Sequence, residues 1–444
     1  MSRDVIQFTG EFRLEEALIT SPTGQVTDLM TDLQIVEINL FESLIRNTIS
    51  GSIIVVDTRN VVVKLPIVGQ EDLSLKIVTP SLKKKEDILD FTENTFFIHK
   101  IAKREEVSVG AQTYELSFIS DAAIINSSKR LSRSYVKSKA NIGEMVEDIL
   151  KKDLGVPSDR IFVEPTLGTR KLIIPNSKPY TFITRLTKQA LSKQGSPHYL
   201  FFENKNGMHF LPLQKLYEQD VRAEFNVNDE GIDQKQAQGN QKQAQGAPES
   251  YKRMIEYSLN IKKDTLVNTS TGMMGSNVIE HNLYNKKYEV KKFNYFDDKD
   301  FQAFERIDDN KVYSDDLFGD DIVNSKTHVI PISREDDVDK SHESGTPNQR
   351  YKTILNRQSR FIELADGISI NMTVHGQTTL TVGDMVDVTI PPLAGNEREE
   401  GPDKPEKFYS GLYLIKTLRH TFSPPTRNHI ISMEVFKDGF PDAI

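Results

Sequence analysis

Residues 40–57 have the sequence LFESLIRNTISGSIIVVD, and this stretch decides the fold class of the chain. Its last six residues, 52–57, include four consecutive β-branched residues, a run that is typical of a strand buried on both faces. Gly51 stands directly before this run, and other glycines punctuate the neighbouring segments. The stretch therefore predicts β-structure at the centre of the first part of the chain.

The segments around this stretch have the two-residue period of half-buried strands. Two sets of apolar residues alternate with polar neighbours: Leu73, Leu75 and Ile77, and Tyr114, Leu116 and Phe118. No long stripe of apolar residues at helical spacing occurs in this part of the sequence. We therefore predict a small antiparallel barrel or sandwich, and we assign residues 1–125 to a first β-barrel domain.

The periodicity changes in residues 126–225, which we predict to be a helix-containing α+β domain. Asn141 and Glu144 have the spacing of a capping box. Apolar residues follow at the spacing of one helix face, so a helix is predicted from residue 142 onward.

A second helix is predicted over residues 181–193 of the same domain. After it, two runs of aromatic and aliphatic residues lie between positions 199 and 211. Asn206 and Gly207 stand between the runs and favour a tight turn, so we predict a β-hairpin.

Residues 226–250 are predicted to be a polar, Gln-rich linker. The sequence QKQAQG at 234–239 recurs letter for letter at 241–246. Such a polar duplication buries too little apolar surface to fold by itself. Strand patterning returns beyond it, and residues 251–292 with 350–444 are predicted to form a second β-barrel domain.

Residues 293–349 interrupt this second barrel as an acidic insertion. Positions 297–321 hold ten acidic and three basic residues, a net charge of -7, against -8 for the whole chain. Because such charge density is not buried without cationic partners, we predict that the insertion projects outward as a contact or spacing element. A short helix is predicted over residues 351–364.

Composition excludes several classes of protein. The chain of 444 residues has no cysteine, so disulfides, thiolate nucleophiles and zinc–thiolate sites cannot form. Its net negative charge argues against general binding of duplex DNA, which requires clustered Lys and Arg. The apolar runs are too short to span a bilayer, and we predict no membrane insertion and no secretory signal.

The sequence contains no motif of a common enzyme class. GxxxxGKS/T, GxGxxG, HExxH and GxSxG are all missing. His420 and His429 flank a predicted loop at a separation that fits no zinc template, and we interpret them as polar residues near strand ends. We predict no catalytic residue, no cofactor and no metal site.

Three further clusters have a functional and a structural interpretation. Residues 315–321 are dense in aspartate but lack the ligand spacing of an EF-hand, which favours a solvated loop over a calcium site. Residues 83–85 and 100–104 are basic but lack interleaved aromatic residues, which favours an exposed turn and an exposed strand face. Composition alone does not exclude pairs of carboxylates suited to glycoside hydrolysis.

The order of these elements resembles that of the baseplate hub proteins of T4-like contractile-tailed phages. A more distant resemblance is to the late control D and VgrG-type hub proteins. Within residues 40–57, five residues occupy the places of the family's D-S-L…G…F-Y-D pattern: Glu42, Ser43, Leu44, Gly51 and Asp57.

Three later segments carry the same resemblance. Residues 180–203 are similar to a helix-then-strand block of the late control D group. Residues 373–390 match a Gly-x-x-x-Leu-x-x-Gly-x-x-Val barrel segment through Gly376, Leu380, Gly383 and Val386. Residues 413–439 match the closing hairpin, which ends near Asp438 and Gly439.

The resemblance implies a structural protein of the virion, made in the host cytoplasm, and not an enzyme. It implies a homotrimer whose six barrels form a pseudo-sixfold ring, joining the hexameric tail tube protein to the trimeric central spike protein. Baseplate wedge proteins would surround it, and DNA would pass through its lumen without specific binding. A tail-associated cell-wall hydrolase and the hub of a tailocin or type VI-like injection machine are the alternatives.

Overall fold

The computed structural model describes residues 6, 8–64, 67–82, 84, 87–135, 141–169, 172–227, 250–261, 264–283, 286–302, 306–307, 319–332, 352–365, 367–391, 406 and 408–439. Most of the predicted Gln-rich linker, residues 228–249, lies outside them. The described part of the chain is mainly β, as predicted. None of its helices combines the length and apolar composition needed to cross a membrane.

The strands are β1 Arg13–Thr20, β2 Val26–Asp28, β3 Gln34–Ser43, β4 Ser50–Asp57, β5 Asp72–Val78, β6 Leu89–Ser108, β7 Ala111–Ser120, β8 Leu131–Tyr135, β9 Ile161–Val163, β10 Leu172–Ser177, β11 Tyr199–Asn204, β12 Gly207–Pro212, β13 Val221–Asn226, β14 Met254–Ile261, β15 Gly275–Asn282, β16 Lys287–Asn294, β17 Thr327–Ile332, β18 Ile368–His375, β19 Met385–Thr389, β20 Gly411–Ser423 and β21 Asn428–Lys437.

The α-helices are α1 Leu29–Asp32, α2 Val61–Lys64, α3 Asp121–Ser128, α4 Ile142–Asp148, α5 Pro179–Thr187, α6 Leu213–Tyr217, α7 Thr265–Thr271, α8 Lys299–Gln302 and α9 Arg357–Ala365. The π-helical turn Ile149–Asp153 extends α4, and a second π-helical turn, Lys352–Asn356, directly precedes α9. Two 3-10 turns cover Ser158–Arg160 and Asp320–Asn324.

One 13-stranded sheet runs through both predicted barrel domains, in the order β14-β18-β21-β20-β3-β4-β7-β6-β5-β1-β2. β19 branches from β20, and β13 pairs with β19 in parallel. Every other pairing along the sheet is antiparallel. The two halves meet where β3 pairs with β20.

Each half of this sheet has a separate hydrophobic core, and we call the halves the first and second β units. Residues from Phe12 to Phe118, with Phe422, fill the first core, and residues mainly between Ile368 and Phe436 fill the second. Within the described residues, strand pairing closes neither unit into a barrel. The prediction of two barrels therefore differs from the structure. One edge of β3 pairs with β20 of the other unit and is not available to close the first unit.

The α+β unit contains the predicted helices. Asn141 and Glu144 form the predicted capping box at the start of α4. Helix α5 ends at Thr187, earlier than predicted. A third core, built from α4, α5 and the β11–β12 hairpin, includes Val146, Leu186 and Phe210.

A small three-stranded sheet, in the order β16-β15-β17, has a fourth core of its own. The sequence assigned β15 and most of β16 to the second barrel. In the structure β15 pairs on one side with β16 and on the other with β17 of the acidic insertion. Ile322 and Val323 of the insertion pack in the same core as Phe293 and Tyr295. Part of the insertion is therefore folded, because its few apolar residues are buried against β15 and β16. The helix predicted over 351–364 is confirmed as α9 and its preceding turn.

Candidate assembly junction

The turn of the β11–β12 hairpin lies where the two β units and the α+β unit meet. Asn204 pairs with Gly207, so the turn consists of Lys205 and Asn206, one residue earlier than predicted. A Cβ atom on Gly207 would lie 2.2 Å from the Arg160 carbonyl oxygen, so this position needs glycine for close backbone contact. The shift places Lys205 at the tip of the hairpin.

Lys205 fastens the hairpin to the second β unit. Its Nζ donates hydrogen bonds to the Thr378 and Thr379 carbonyl oxygens, both at 2.7 Å. These carbonyls belong to the loop between β18 and β19, and Lys205 is only 8% exposed. Burial lowers the pKa of Lys205 to about 8.

Glu42 joins the end of β3 to the same loop. Its Oε2 accepts hydrogen bonds from the Thr381 hydroxyl and from the Val382 backbone N–H, the latter at 3.1 Å. Burial raises the pKa of Glu42 to about 7, since neutral donors compensate the carboxylate only in part. Asp384 accepts from the Thr381 N–H at 3.0 Å, and burial raises its pKa to about 6.

Glu203 and Asn204 hold the hairpin to both β units. The two carboxylate oxygens of Glu203 accept from the Ile49 N–H and the Ser120 hydroxyl of the first unit, each at 3.0 Å. Asn204 donates to the Val382 carbonyl of the second unit at 3.2 Å. Burial raises the pKa of Glu203 to about 6.

We call the four ionisable residues Glu42, Glu203, Lys205 and Asp384 the junction. Glu42, Glu203 and Lys205 form hydrogen bonds between units, whereas Asp384 accepts from Thr381 within the β18–β19 loop that Lys205 contacts. This arrangement fixes the three units relative to one another, since a buried polar group left without its partner costs about 1–3 kcal/mol.

Two glycines of the hub-like pattern are required by close packing. A Cβ atom on Gly51 would lie 2.3 Å from the Asn39 carbonyl oxygen and 2.1 Å from the Phe118 ring. A Cβ atom on Gly376 would lie 2.1 Å from the His429 ring. Both glycines therefore leave room for an aromatic side chain that packs across the backbone.

His420 and His429 lie near the adjoining ends of β20 and β21, as predicted, but their burial was not predicted. Both are fully buried, and His420 Nδ1 lies 3.0 Å from His429 Nε2. Burial lowers the pKa of His420 to about 3 and that of His429 well below its usual value, so both rings are neutral at pH 7. The pair is a core hydrogen bond, with Phe422 stacked on His429 at a centroid distance of 4.0 Å.

The other sequence candidates have different outcomes. Lys100, Lys103 and Arg104 are exposed on β6, which confirms the prediction of an exposed strand face. Lys83 and Lys85, and the acidic residues at 315–316, lie outside the described residues. Across the described ranges, no group of three or more His, Asp or Glu side chains is arranged to hold a metal ion. The absence of catalytic residues stays a prediction.

No protein-family model matches the chain, and no curated protein matches it in sequence. Among solved structures, a tail protein from Neisseria meningitidis MC58 is similar over 98% of this chain and 100% of its own length, with a TM-score of 0.53 and 10% identity. The 43 kDa tail protein of prophage MuSo2 from Shewanella oneidensis is similar over 95% of this chain and 98% of its own length, with a TM-score of 0.51 and 9% identity. The fold is similar to that of phage tail proteins.

The tail-protein fold extends over nearly the whole chain in both comparisons. A component of the E. coli type VI secretion system, described as structurally similar to T4 tail proteins, has a lower TM-score of 0.46 at 10% identity. It covers 96% of this chain and 76% of that protein.

Sequence reasoning missed the junction for a clear reason. In the sequence, Glu42 belongs only to the hub-like pattern, and no pattern singles out Lys205. Glu42 is 339 residues from Thr381, and Lys205 is 173 residues from Thr378. The one available signal was a lysine beside a predicted turn between two strongly apolar strands, a place where a buried ammonium group is uncommon.

Proposed function

We propose that the chain is a structural hub subunit of the baseplate of a contractile phage tail, without an enzymatic role. Support comes from the tail-protein fold over nearly the full length of two solved structures. It also comes from the junction, whose buried polar contacts join the three units.

One observation carries the proposal, namely the tandem arrangement of two β units in one continuous sheet through β3 and β20. Three copies of such a chain supply six β units around an axis. A homotrimer can therefore match a hexameric tail tube on one face and keep threefold symmetry for a trimeric spike on the other. Each β unit would act as one tube-like domain of this ring.

The proposed partners are those that the resemblance to hub proteins implies. The ring would contact the tail tube protein, the central spike protein and the surrounding wedge proteins, and DNA would pass through its lumen during ejection. The acidic insertion, 293–349, part of which folds against β15 and β16, would contact peripheral partners. The site of action would be the virion tail.

Light scattering on the purified chain, alone and with its spike partner, tests the proposal. We expect a particle of about three times the chain mass of 50.5 kDa. Electron-microscopy class averages should show a threefold ring with six lobes. Monomers or dimers at every concentration, even with the spike present, contradict the proposal.

A peptidoglycan turnover assay separates the structural role from a tail-associated hydrolase. The hub proposal expects no release of soluble cell-wall fragments beyond that of a buffer control. Release that scales with protein concentration would replace the structural role with an enzymatic one.

A further inference from the structure

Three aromatic rings stack across the sheet of β11, β12 and β9 in the α+β unit. Strand register sets Phe202, His209 and Phe162 side by side. Neighbouring ring centroids are 4.9 and 4.7 Å apart, and neighbouring ring planes differ by 8° and 12°. Ile161 and Val163 pack against the third core, so the two-residue period of β9 places Phe162 on the other face of the sheet. Because β9 is the last of the described strands in this sheet, one face of the Phe162 ring contacts His209 and the other is turned away from the stack.

The stack holds the Phe162 ring as a fixed, flat platform. Phe202 is fully buried, and His209 Nε2 lies 2.8 Å from Asn204 Oδ1. Burial lowers the pKa of His209 to about 3, so its ring is neutral at pH 7. Phe162 is 40% exposed. An apolar ring therefore lies at the surface in an orientation that its buried neighbours set.

The Phe162 ring lines a cleft of ≈ 740 Å³ between the α+β unit and the first β unit. Glu93 and Asn94 of β6 form one part of its wall, and Arg160 and the tip of the β11–β12 hairpin form another. Ligand sites usually have volumes of about 300–1,000 Å³. The cleft is therefore large enough for an organic ligand that covers the exposed face of the ring.

Polar groups that line the cleft keep most of their hydrogen-bonding capacity. The side-chain amides of Asn94 and Asn206 and the carboxylate of Glu93 have no hydrogen-bond partner among the described residues. Arg160 donates from Nη2 to the Lys205 carbonyl oxygen at 3.2 Å and has no salt bridge in the described part of the chain. Donors and acceptors for a ligand therefore lie in the same cleft as the flat ring.

The acidic and basic side chains that line the cleft have no formal net charge. They are three acids and three bases, namely Asp90, Glu93, Asp159, Lys84, Arg160 and Lys205. A nucleobase could also stack on Phe162, but nucleotides carry phosphates, which bind where lysine and arginine are in excess. The balance of charge therefore favours a neutral ligand.

A sugar ring matches both parts of this site. One face of a pyranose carries several C–H groups, which pack on the negative face of an aromatic ring, and its rim carries hydroxyls that both donate and accept hydrogen bonds. We propose that the cleft binds a neutral oligosaccharide, with one sugar ring stacked on Phe162 and its hydroxyls bonded to Asn94, Asn206 and Arg160. This inference does not depend on the proposed hub function.

Ligand-observed NMR on the full chain tests the proposal, with chitotetraose, cellotetraose and maltotetraose as neutral probes. We expect saturation transfer from the protein to at least one of them, strongest at the C–H protons of one sugar-ring face. F162A should weaken binding by about tenfold or more, because tenfold corresponds to only about 1.4 kcal/mol. F162Y keeps the flat ring and should bind like the natural chain. F162L keeps an apolar side chain without a ring and should bind like F162A.

The matched control is F8A, because Phe8 is 42% exposed but does not line the cleft. It should bind as tightly as the natural chain. N94A tests the hydrogen bonds to the ligand and should weaken binding roughly fivefold, the loss of about one hydrogen bond. Thermal melting by circular dichroism verifies that each variant folds, and the comparison of F162L with F162Y replaces F162A if that variant does not fold.

Three results would overturn the inference. They are no saturation transfer to any probe at concentrations up to about 10 mM, equal binding by F162A and F8A, and binding of a short thymidine oligonucleotide in place of the saccharides. The last result would make Phe162 a base-stacking site. Light scattering is independent of these outcomes, since a trimer without saccharide binding removes this inference and leaves the hub, whereas a monomer that binds saccharide does the reverse.

Discussion

Two buried clusters of charge in this molecule have opposite electrostatic designs. The first, which we call the Arg360 cluster, consists of Arg306, Arg360, Glu363 and Asp438. Glu363 lies 2.7 Å from both arginines, and Arg360 also pairs directly with Asp438. Burial acts to raise the pKa of Glu363, but Arg306 and Arg360 together hold it below its usual value.

The junction is equally buried but is organised differently. Glu42 accepts its hydrogen bonds from a neutral hydroxyl and a backbone N–H, and burial raises its pKa to about 7. Direct pairing with arginine keeps a buried carboxylate charged, whereas neutral donors leave it able to titrate near neutral pH. The Arg360 cluster is therefore a fixed clamp, and the junction is sensitive to protons.

Replacing Arg360 by Met should have the largest effect. The substitution leaves Glu363 and Asp438 buried with one cation fewer, which costs about 3–5 kcal/mol of unfolding free energy. Urea unfolding measures it. Arg357 on the same helix donates to the Pro197 carbonyl and is the matched control. R357M should cost less, about 1–3 kcal/mol. An equal loss would contradict the description of the Arg360 cluster as a fixed clamp.

Replacing Lys205 by Met should have a smaller effect. The Thr378 and Thr379 carbonyls lose their donor, but the junction carboxylates can become protonated and so avoid a buried charge. We expect a loss of about 1–3 kcal/mol by the same measurement. K215M, at an exposed pair on α6, should change stability by no more than about 0.5 kcal/mol. A loss at Lys205 as large as at Arg360 would show that the junction is also a clamp.

Replacing Glu42 by Gln should change the pH dependence of stability. Because the folded state raises the pKa of Glu42 from 4.5 to about 7, it binds the proton more tightly than the unfolded state. The contribution of Glu42 to the free energy of unfolding is therefore full below pH 4.5 and is lost as the pH rises to 7. E42Q removes this contribution, so its stability relative to the natural chain should rise by roughly 2–3 kcal/mol between pH 5 and pH 8.

Denaturant midpoints at the two pH values measure this change. E218Q, at an exposed carboxylate, should run parallel to the natural chain, and a parallel E42Q would contradict a titrating junction. Asp384, whose pKa is also raised, keeps part of the slope in the variant.

Deleting residues 234–246 should have the smallest effect. The duplicated QKQAQG segment has no apolar anchor, and loop-closure entropy changes slowly with length. The melting temperature should stay within a few degrees, as measured by circular dichroism. A drop of about 10 °C or more would correspond to over 1 kcal/mol and would show that the segment packs against one of the units.

The sequence by itself determined the features that depend on neighbouring residues. Alternation around Leu73 and Tyr114 predicted strands, and the Asn141–Glu144 spacing predicted the start of α4. These signals are local because strand and helix periods are set by the backbone.

Only the tertiary structure decided how these elements join. No local pattern encodes the contacts that link these elements. They are the pairing of β3 with β20, the hydrogen bonds from Lys205 to the β18–β19 loop, and the contact between buried His420 and His429. The acidic insertion is a second example of a feature that local sequence did not predict. Its charge predicted exposure, but Ile322 and Val323 are buried in the core next to β15 and β16. Burial depends on which surfaces meet, and a strand's period gives the side that is apolar but not the partner that covers it.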